Sequence, residues 1–139
     1  MSNTSLYKEI LMDHYRHPRN REALEGADVI QRGNNPRCGD EVEVGVNWDG
    51  DMLVQVRFRA RGCAICIASA SIMSEAVKGH SKTDTSELCE SMKNWVEQGS
   101  DEMPEPHELI QGLEAVRKTP SRKRCVMIAW EALSECIET

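Results

Sequence analysis

Aromatic side chains are scarce in this sequence. Its 139 residues include one Phe, two Tyr and three Trp, so aromatic residues make up only 4% of the chain. The core must therefore be built from aliphatic residues, Met and Ala. A chain of this length suits one domain, spanning residues 1–139, with a single hydrophobic core.

Long apolar runs, a net positive charge and a secretory leader are also missing. No apolar run approaches the roughly 20 residues that a membrane-spanning helix needs. Seventeen basic and 23 acidic residues give a formal charge of −6, which argues against electrostatic binding to nucleic acid. The N-terminus has no basic segment followed by an apolar one, so the sequence predicts a cytoplasmic protein without a membrane partner.

Two alternating segments predict a β-hairpin. Apolar residues alternate with polar ones over residues 41–48 and again over 52–61, and Asp49-Gly50-Asp51 between them is typical of a tight turn. On the second strand, the alternation predicts an inward-facing set: Val54, Val56, Phe58 and Ala60. A third, short edge strand is expected over residues 27–31, ending at Gly33-Asn34-Asn35-Pro36.

The remaining segments predict helices. Apolar spacings of three and four indicate a helix over residues 6–15, which Pro18 ends. Further helices are expected over residues 63–78, after a cap at Thr85, after Pro106, and at the end of the chain, with Cys125 at the start of the last. A helix, a run of strands and a run of helices predict an α+β fold, with a small antiparallel three-stranded sheet packed by helices.

Six cysteines are present: Cys38, Cys63, Cys66, Cys89, Cys125 and Cys136. Three of them, Cys38, Cys63 and Cys125, fall at predicted boundaries between elements. Asp40 follows Cys38 across a glycine, so that a thiolate and a carboxylate can converge on one ion. Three thiolates and Asp40 make a four-ligand set of the kind that zinc accepts. The residues alone leave open a second interpretation, in which the three thiols are buried as small hydrophobes.

Cys63 and Cys66 form a CxxC pair at a predicted helix start. A thioredoxin-like redox pair follows a parallel strand, whereas this pair follows a hairpin strand, so redox catalysis is disfavoured. Cys66 is then either a small packed residue or a second thiol near the metal. Cys89 and Cys136 lie on apolar helix faces and are predicted to be core residues.

Four motifs together resemble a known family. They are LYKEI, DHY and HPRN within residues 6–20, NPRCGD at 35–40, GCAI and ASAS at 62–65 and 68–71, and RC with AWEAL at 124–125 and 129–133. All occur in the order found in the IscU/NifU-type iron–sulfur cluster assembly proteins, and they cover nearly the whole chain. Arg124 stands where the IscU branch has a histidine, and a long insert precedes it. Both features resemble the SufU branch.

The resemblance implies a zinc-dependent sulfurtransferase. By position, Cys38, Asp40, Cys63 and Cys125 would be the zinc ligands, Cys38 the sulfur acceptor and Arg124 a neighbour of the site. Cys66 departs from the family, which usually has serine there. The partner implied is a SufS-type cysteine desulfurase, one of whose histidines would replace Cys38 on the zinc, and a downstream protein would receive the sulfur.

Other functions remain compatible with the same residues. The same Cys3Asp set could hold a [2Fe–2S] cluster that is assembled on the chain and transferred, since thiolates suit both zinc and iron–sulfur clusters. A purely structural zinc is a third interpretation. The acidic charge and an exposed site suit a monomer that meets its partner transiently.

Overall fold

The chain folds into a three-stranded antiparallel sheet with helices packed against one face. The computed structural model describes residues 3–37 and 39–138, with side chains from Leu6 onward. In chain order, the elements of these residues are α1 (Asn3–Arg16), β1 (Val29–Asn35), β2 (Asp40–Asp49), β3 (Met52–Arg61), α2 (Ala64–Ala76), α3 (Lys82–Glu97), α4 (His107–Ile110), two short 3-10 turns (Gln111–Leu113 and Val116–Lys118) and α5 (Pro120–Glu138). The predicted α+β fold and its antiparallel three-stranded sheet are confirmed. None of the described helices is both long and apolar enough to span a membrane.

The sheet has the order β1-β2-β3, and its register defines one functional end. Asn35 lies opposite Asp40, and Glu41 lies opposite Arg61. The end of β1, the start of β2 and the end of β3 therefore meet. The predicted span of residues 27–31 is wrong, because β1 begins at Val29 and runs on to Asn35. At Gly33 a Cβ atom would lie 2.8 Å from the carbonyl oxygen of Ile128, so glycine there lets α5 cross the strand closely.

A β-bulge changes which face β3 presents. The β2–β3 register shifts between Asn47 and Trp48. As a result Leu53 is fully buried, and Val54 is 50% exposed. The prediction that Val54 faces inward is therefore wrong, whereas Val56 and Phe58, beyond the shift, are buried as expected. An extra residue in one strand turns every side chain before it to the opposite face.

The core is formed by one face of the sheet and by helices α2, α3 and α5. α5 packs on β1 and β2, α2 packs on β3 and on α5, and α3 packs against α5. The largest fully buried side chains include Trp95, Trp130, Phe58, Leu53, Ile72, Met73, Met92 and Ile128. Apart from the two tryptophans and Phe58 these are aliphatic residues and Met, as the shortage of aromatic residues requires.

Three helix starts differ from the predictions. α2 begins at Ala64, with Cys63 as its N-cap. α3 begins at Lys82 rather than after Thr85, and its N-cap Ser81 accepts a hydrogen bond from the Asp84 amide at 3.0 Å. α5 begins at Pro120, so that Cys125 lies in its second turn and not at its start. Proline is well suited to a first helical position, because it has no N–H to leave unpaired.

The segment after α1 ties that helix to α2. The ring of His14, which is buried, hydrogen-bonds through Nδ1 to the Ser71 hydroxyl at 2.8 Å, and the Arg19 amide donates to the same oxygen at 2.9 Å. Asn20, at a φ of +63°, donates to the Ser74 hydroxyl at 2.9 Å. The HPRN motif thus holds the segment after α1 against α2, the helix whose N-cap is Cys63.

Candidate metal centre

Donor atoms from three elements meet at the functional end of the sheet. Asp40 is the first residue of β2, Cys63 is the N-cap of α2, and Cys125 lies in α5. One ligand atom from each of these residues lies within 4.8 Å of the other two. Cys38, the expected fourth ligand and sulfur acceptor, falls outside the described residues.

The Asp40 carboxylate joins the two thiols. Its Oδ1 atom accepts a hydrogen bond from the Cys63 backbone amide at 3.0 Å. Its Oδ2 atom lies 3.6 Å from the Cys63 sulfur and 3.3 Å from the Cys125 sulfur. Asp40 is only 3% exposed, so water has little access to it. The hydrogen bond from the Cys63 amide fixes the orientation of this carboxylate.

Gly62 makes room for this carboxylate. A Cβ atom at this position would lie 2.8 Å from Asp40 Cγ and closer still to its Oδ1 atom. The backbone at Gly62 also has a φ of +154°, a conformation that L side chains rarely adopt. Only glycine therefore allows the end of β3 to pass so close to Asp40. The GC pair in the sequence indicated a strand end, but not this contact.

A buried serine positions α5 against α2. The Ser69 hydroxyl donates to the carbonyl oxygen of Val126 at 2.7 Å and accepts from the Trp130 indole nitrogen at 3.2 Å. Val126 directly follows Cys125, so this bond fixes the position of the Cys125 thiol relative to the start of α2. One feature of the sequence points to this contact, the run of small residues at 68–71, which permits close helix packing.

The surroundings of Cys125 favour its protonated form when no metal is bound. Burial raises the pKa of this thiol, and its hydrogen bonds to Asp40 and Cys63 raise it further. A metal ion binds the thiolate, so loading the site must release a proton from Cys125.

The described donors fit a zinc ion. A tetrahedral zinc with Zn–S bonds of about 2.3 Å and Zn–O bonds of about 2.0 Å places its sulfur and oxygen ligands roughly 3.5 Å apart. The two sulfur-to-Oδ2 distances of 3.6 and 3.3 Å match that separation. Two thiols and a carboxylate are also ligand types that zinc accepts, and they leave one tetrahedral position to be filled.

The site opens into a cavity of about 740 Å³. Besides the three donors, its lining residues are Asn35, Pro36, Arg37, Pro120, Ser121, Arg122 and Arg124. Arg124, expected near the site, forms a two-pronged ion pair with Glu131, with both N···O distances at 2.6 Å. Cys66 does not line the cavity. It is fully buried in the first turn of α2.

Comparison with known proteins identifies the family. The model of the NifU-like N-terminal domain family matches residues 6–139. The zinc-dependent sulfurtransferase SufU of Bacillus subtilis is 35% identical over 133 residues, covering 94% of this chain and 88% of that protein. The chain belongs to the IscU/NifU-type family of iron–sulfur cluster assembly proteins. The resemblance that the four motifs indicate is confirmed.

Members of both branches of this family are similar to the chain. The iron–sulfur cluster assembly scaffold protein IscU of Streptococcus pyogenes is 36% identical over 135 residues, covering 96% of this chain and 83% of that one. Among solved structures, SufU of Fervidobacterium islandicum superposes with a TM-score of 0.84 at 28% identity, covering 98% of this chain and 99% of that one. A NifU-like protein of Brucella abortus has the same fold, with a TM-score of 0.85 at 19% identity, over 99% of this chain and 96% of that one.

Proposed function

We propose that this protein accepts persulfide sulfur from a cysteine desulfurase and passes it on for iron–sulfur cluster assembly. Cys38 is the acceptor, and zinc held by Cys38, Asp40, Cys63 and Cys125 is the resident metal. The observation that carries the proposal is the convergence of Asp40, Cys63 and Cys125 at zinc-like separations. The similarity to a zinc-dependent sulfurtransferase supports it.

The transfer step is a thiol exchange. The Cys38 thiolate attacks the outer sulfur of the desulfurase persulfide, a new S–S bond forms on Cys38, and the S–S bond on the desulfurase breaks. The desulfurase cysteine leaves as a thiolate, so the number of S–S bonds and the oxidation state of the pair do not change. Such exchange is faster when the attacking sulfur is deprotonated.

The chain's own residues prepare this step. Zinc, when bound, would hold its cysteine ligands as thiolates at neutral pH. Asp40 is oriented by the Cys63 amide, and Gly62 leaves it the space it occupies. The open cavity lined by residues of the β1–β2 turn and of the start of α5 gives a partner protein access to the site. Gly39, at a φ of +75°, gives the turn beside Cys38 a backbone conformation that few other residues adopt.

Activation of a cysteine desulfurase tests the proposal. Wild-type protein, purified with its metal, is titrated into a SufS-type desulfurase, and sulfide release from cysteine is followed in the presence of a reductant. We expect Cys38→Ala to abolish the stimulation. Cys136→Ala, which removes a buried thiol far from the site, is the matched control and should stimulate like wild type. Stimulation by Cys38→Ala equal to that of wild type would show that Cys38 is not the acceptor.

A second candidate function is that of a scaffold for a [2Fe–2S] cluster. The similarity to a scaffold protein of the IscU type favours it. The donor set is compatible with it, because cysteine thiolates bind a cluster as well as zinc. In this case the cluster is cargo that is built on the chain and handed to another protein. Anaerobic purification with metal analysis and an absorption spectrum separates the candidates, since a zinc protein is colourless and a cluster protein is brown.

Replacement of Asp40 separates the two functions further. For the zinc protein, Asp40→Ala removes a ligand and should weaken metal retention. For a scaffold, loss of a carboxylate ligand that promotes release should lengthen the lifetime of the coloured cluster. Glu41→Ala is the control, because this adjacent carboxylate pairs with Arg32 and Arg61 away from the donors, at 2.8 and 3.2 Å.

A further inference from the structure

One thiol beside the metal donors has no part in the proposed function. Cys66 lies three residues after Cys63 and is fully buried, whereas Cys63 is half-buried and lines the cavity. A reagent that enters the cavity therefore meets the Cys63 sulfur and not that of Cys66. The two thiols nevertheless share the first turn of α2.

The backbone brings this pair within reach of a disulfide. Cys63 is the N-cap, with extended dihedral angles of −71° and 164°, and the Ile67 amide closes the turn on the Cys63 carbonyl at 3.2 Å. Residues three apart in such a turn have Cα atoms about 5 Å apart, inside the range of roughly 4.4–6.8 Å that disulfides span. In capping boxes the side chain of the third helical residue reaches back to the N-cap residue, and the third helical residue of α2 is Cys66.

The Cys63 side chain can turn from one neighbour to the other. Its sulfur now lies 3.6 Å from Asp40 Oδ2, and rotation about its Cα–Cβ bond redirects it toward Cys66. Pairing with Cys125 is a different matter. It would link α2 to α5, which Ser69 already joins through Val126 at 2.7 Å. The Cys63 and Cys125 sulfurs lie within 4.8 Å of each other, so this disulfide is the rival product that the experiment must separate from the Cys63–Cys66 pair.

We infer that Cys63 and Cys66 form a redox switch on the metal site. In the metal-free protein, a peroxide converts the pair to a disulfide, which withdraws Cys63 from Asp40 and Cys125 and prevents metal binding. A thiol reductant restores the pair. The inference rests on the proposed function only in assigning a metal to this site. It does not make the chain a redox catalyst, and the hairpin strand before the CxxC pair remains unlike the parallel strand of such enzymes.

With hydrogen peroxide as the oxidant, the disulfide forms in two steps. The Cys63 thiol loses its proton, the resulting thiolate attacks one peroxide oxygen, and the O–O bond breaks. The sulfur becomes a sulfenic acid, and the departing hydroxide takes up the proton that Cys63 lost, which gives the first water. The Cys66 thiol then attacks that sulfur. The S–S bond forms, the S–O bond breaks, and the departing hydroxide takes the Cys66 proton as a second water. Two electrons pass from the two sulfurs to the peroxide.

Peptide mapping of the full chain tests the switch. Wild-type protein, either freed of metal with a chelator or loaded with zinc, is treated with hydrogen peroxide, alkylated and cut with trypsin. Cleavage after Arg61 and Lys78 gives a peptide of residues 62–78 whose only cysteines are Cys63 and Cys66. We expect this peptide to become two hydrogen atoms lighter in the metal-free protein. In the zinc-loaded protein its oxidation should be at least about tenfold slower, because a bound thiolate is shielded.

Zinc uptake, measured with a chromophoric chelator, gives a second readout. Oxidised wild-type protein should lose zinc binding and regain it with a thiol reductant. In Cys66→Ser, oxidation should proceed at Cys63 to a sulfinic acid, which thiols do not reduce, so that zinc binding is not regained. Cys89→Ser, which changes a buried thiol on α3, is the matched control and should recover like wild type.

Other products would overturn the inference. A 62–78 peptide linked to the peptide that carries Cys125 or to the one that carries Cys38 would show that Cys63 has a different partner. An equal oxidation rate with and without zinc would show that the metal does not control the pair. The desulfurase assay has no role in these measurements, so a failure of the proposed sulfur transfer is seen separately.

Discussion

At the scale of single residues, the two oxygens of Asp40 have different roles. Oδ1 is used by the Cys63 amide, and this bond leaves Oδ2 directed at both sulfurs. The carboxylate is thus oriented before any ion arrives. Ligands that are held by further hydrogen bonds bind metal more tightly than free ones. The small residue beside Asp40, Gly62, is what makes this orientation sterically possible.

Gly62→Ala should weaken zinc binding and lower the free energy of unfolding. The new Cβ would lie 2.8 Å from Asp40 Cγ, so the carboxylate or the strand end must shift. Strained backbone of this kind costs about 1–3 kcal/mol. Competition with a zinc chelator measures the affinity, and urea unfolding measures the stability.

Gly26→Ala is the control for this substitution. Gly26 also has a positive φ, of +83°, but nothing lies within 4 Å of its Cβ position. This variant should lose stability through backbone strain alone and keep the zinc affinity of wild type. Wild-type zinc affinity in Gly62→Ala would contradict the steric role of the glycine.

His14 should make the protein less stable as the pH falls. Burial, and then the charge of Arg19, lower the pKa of this imidazole, while Asp13 and Glu75 oppose the shift. The unfolded chain then binds a proton below about pH 6.5, where folded His14 still resists it. The free energy of unfolding therefore falls as the pH drops below that value, until the lowered pKa of the folded state is reached.

Urea unfolding at a series of pH values from 7.5 to 5.5 checks this prediction. His14→Gln keeps an amide that can bond Ser71, but it does not titrate. Its free energy of unfolding should change less over this range than that of wild type. Parallel pH profiles for the two proteins would assign the acid sensitivity to other groups.

At the scale of elements, the sequence predicts most strands and helices but not how they meet. Alternation locates β2 and β3 because one face of each is buried. The bulge after Asn47 carries no composition signal, and it exposes Val54 instead of Leu53. Helix starts depend on which of several polar residues caps the first turn. The sequence alone favours Thr85 as the cap of α3, whereas Ser81 is the actual one.

The candidate site shows the same limit. Asp40, Cys63 and Cys125 stand out in the sequence because of their types and because all three fall at or near predicted element boundaries, although Cys125 in fact lies in the second turn of α5. Their convergence depends on the register of Asn35 with Asp40 and on the Ser69 bond to α5. Both are contacts between distant segments, which spacing along the chain does not encode.

Ser81→Ala should destabilise the protein by about 1 kcal/mol, the usual cost of losing an N-cap. The Ser81 hydroxyl accepts from the Asp84 amide at the start of α3, and alanine leaves that amide without its partner. Urea unfolding measures the loss. Ser86→Ala, at an exposed position of the same helix, is the control and should be close to neutral. Ser81→Asn, which restores a capping oxygen, should recover most of the stability.

At the scale of the whole molecule, the candidate metal site connects the sheet to α2 and α5. Asp40 belongs to β2, Cys63 starts α2, and Cys125 belongs to α5. An ion bound by all three therefore holds together elements that are distant in sequence. Unfolding separates these donors, so the unfolded chain cannot offer the same site.

Zinc should consequently stabilise the entire fold. At a free zinc concentration of 100 times the Kd, mass action adds about 2.7 kcal/mol to the free energy of unfolding, provided that the unfolded chain does not bind the ion. Thermal and urea unfolding of the metal-free protein, with and without buffered zinc, measure this gain. In Cys125→Ser the gain should be lost at the same zinc concentration, because a site with one ligand fewer binds weakly.

Cys136→Ser removes another buried thiol of α5, one that lies 3.6 Å from the Val44 carbonyl and outside the donor group, and it should keep the full gain. Equal stabilisation of the two variants would mean that zinc acts at a different place in the molecule, and the assignment of Asp40, Cys63 and Cys125 would then have to be abandoned.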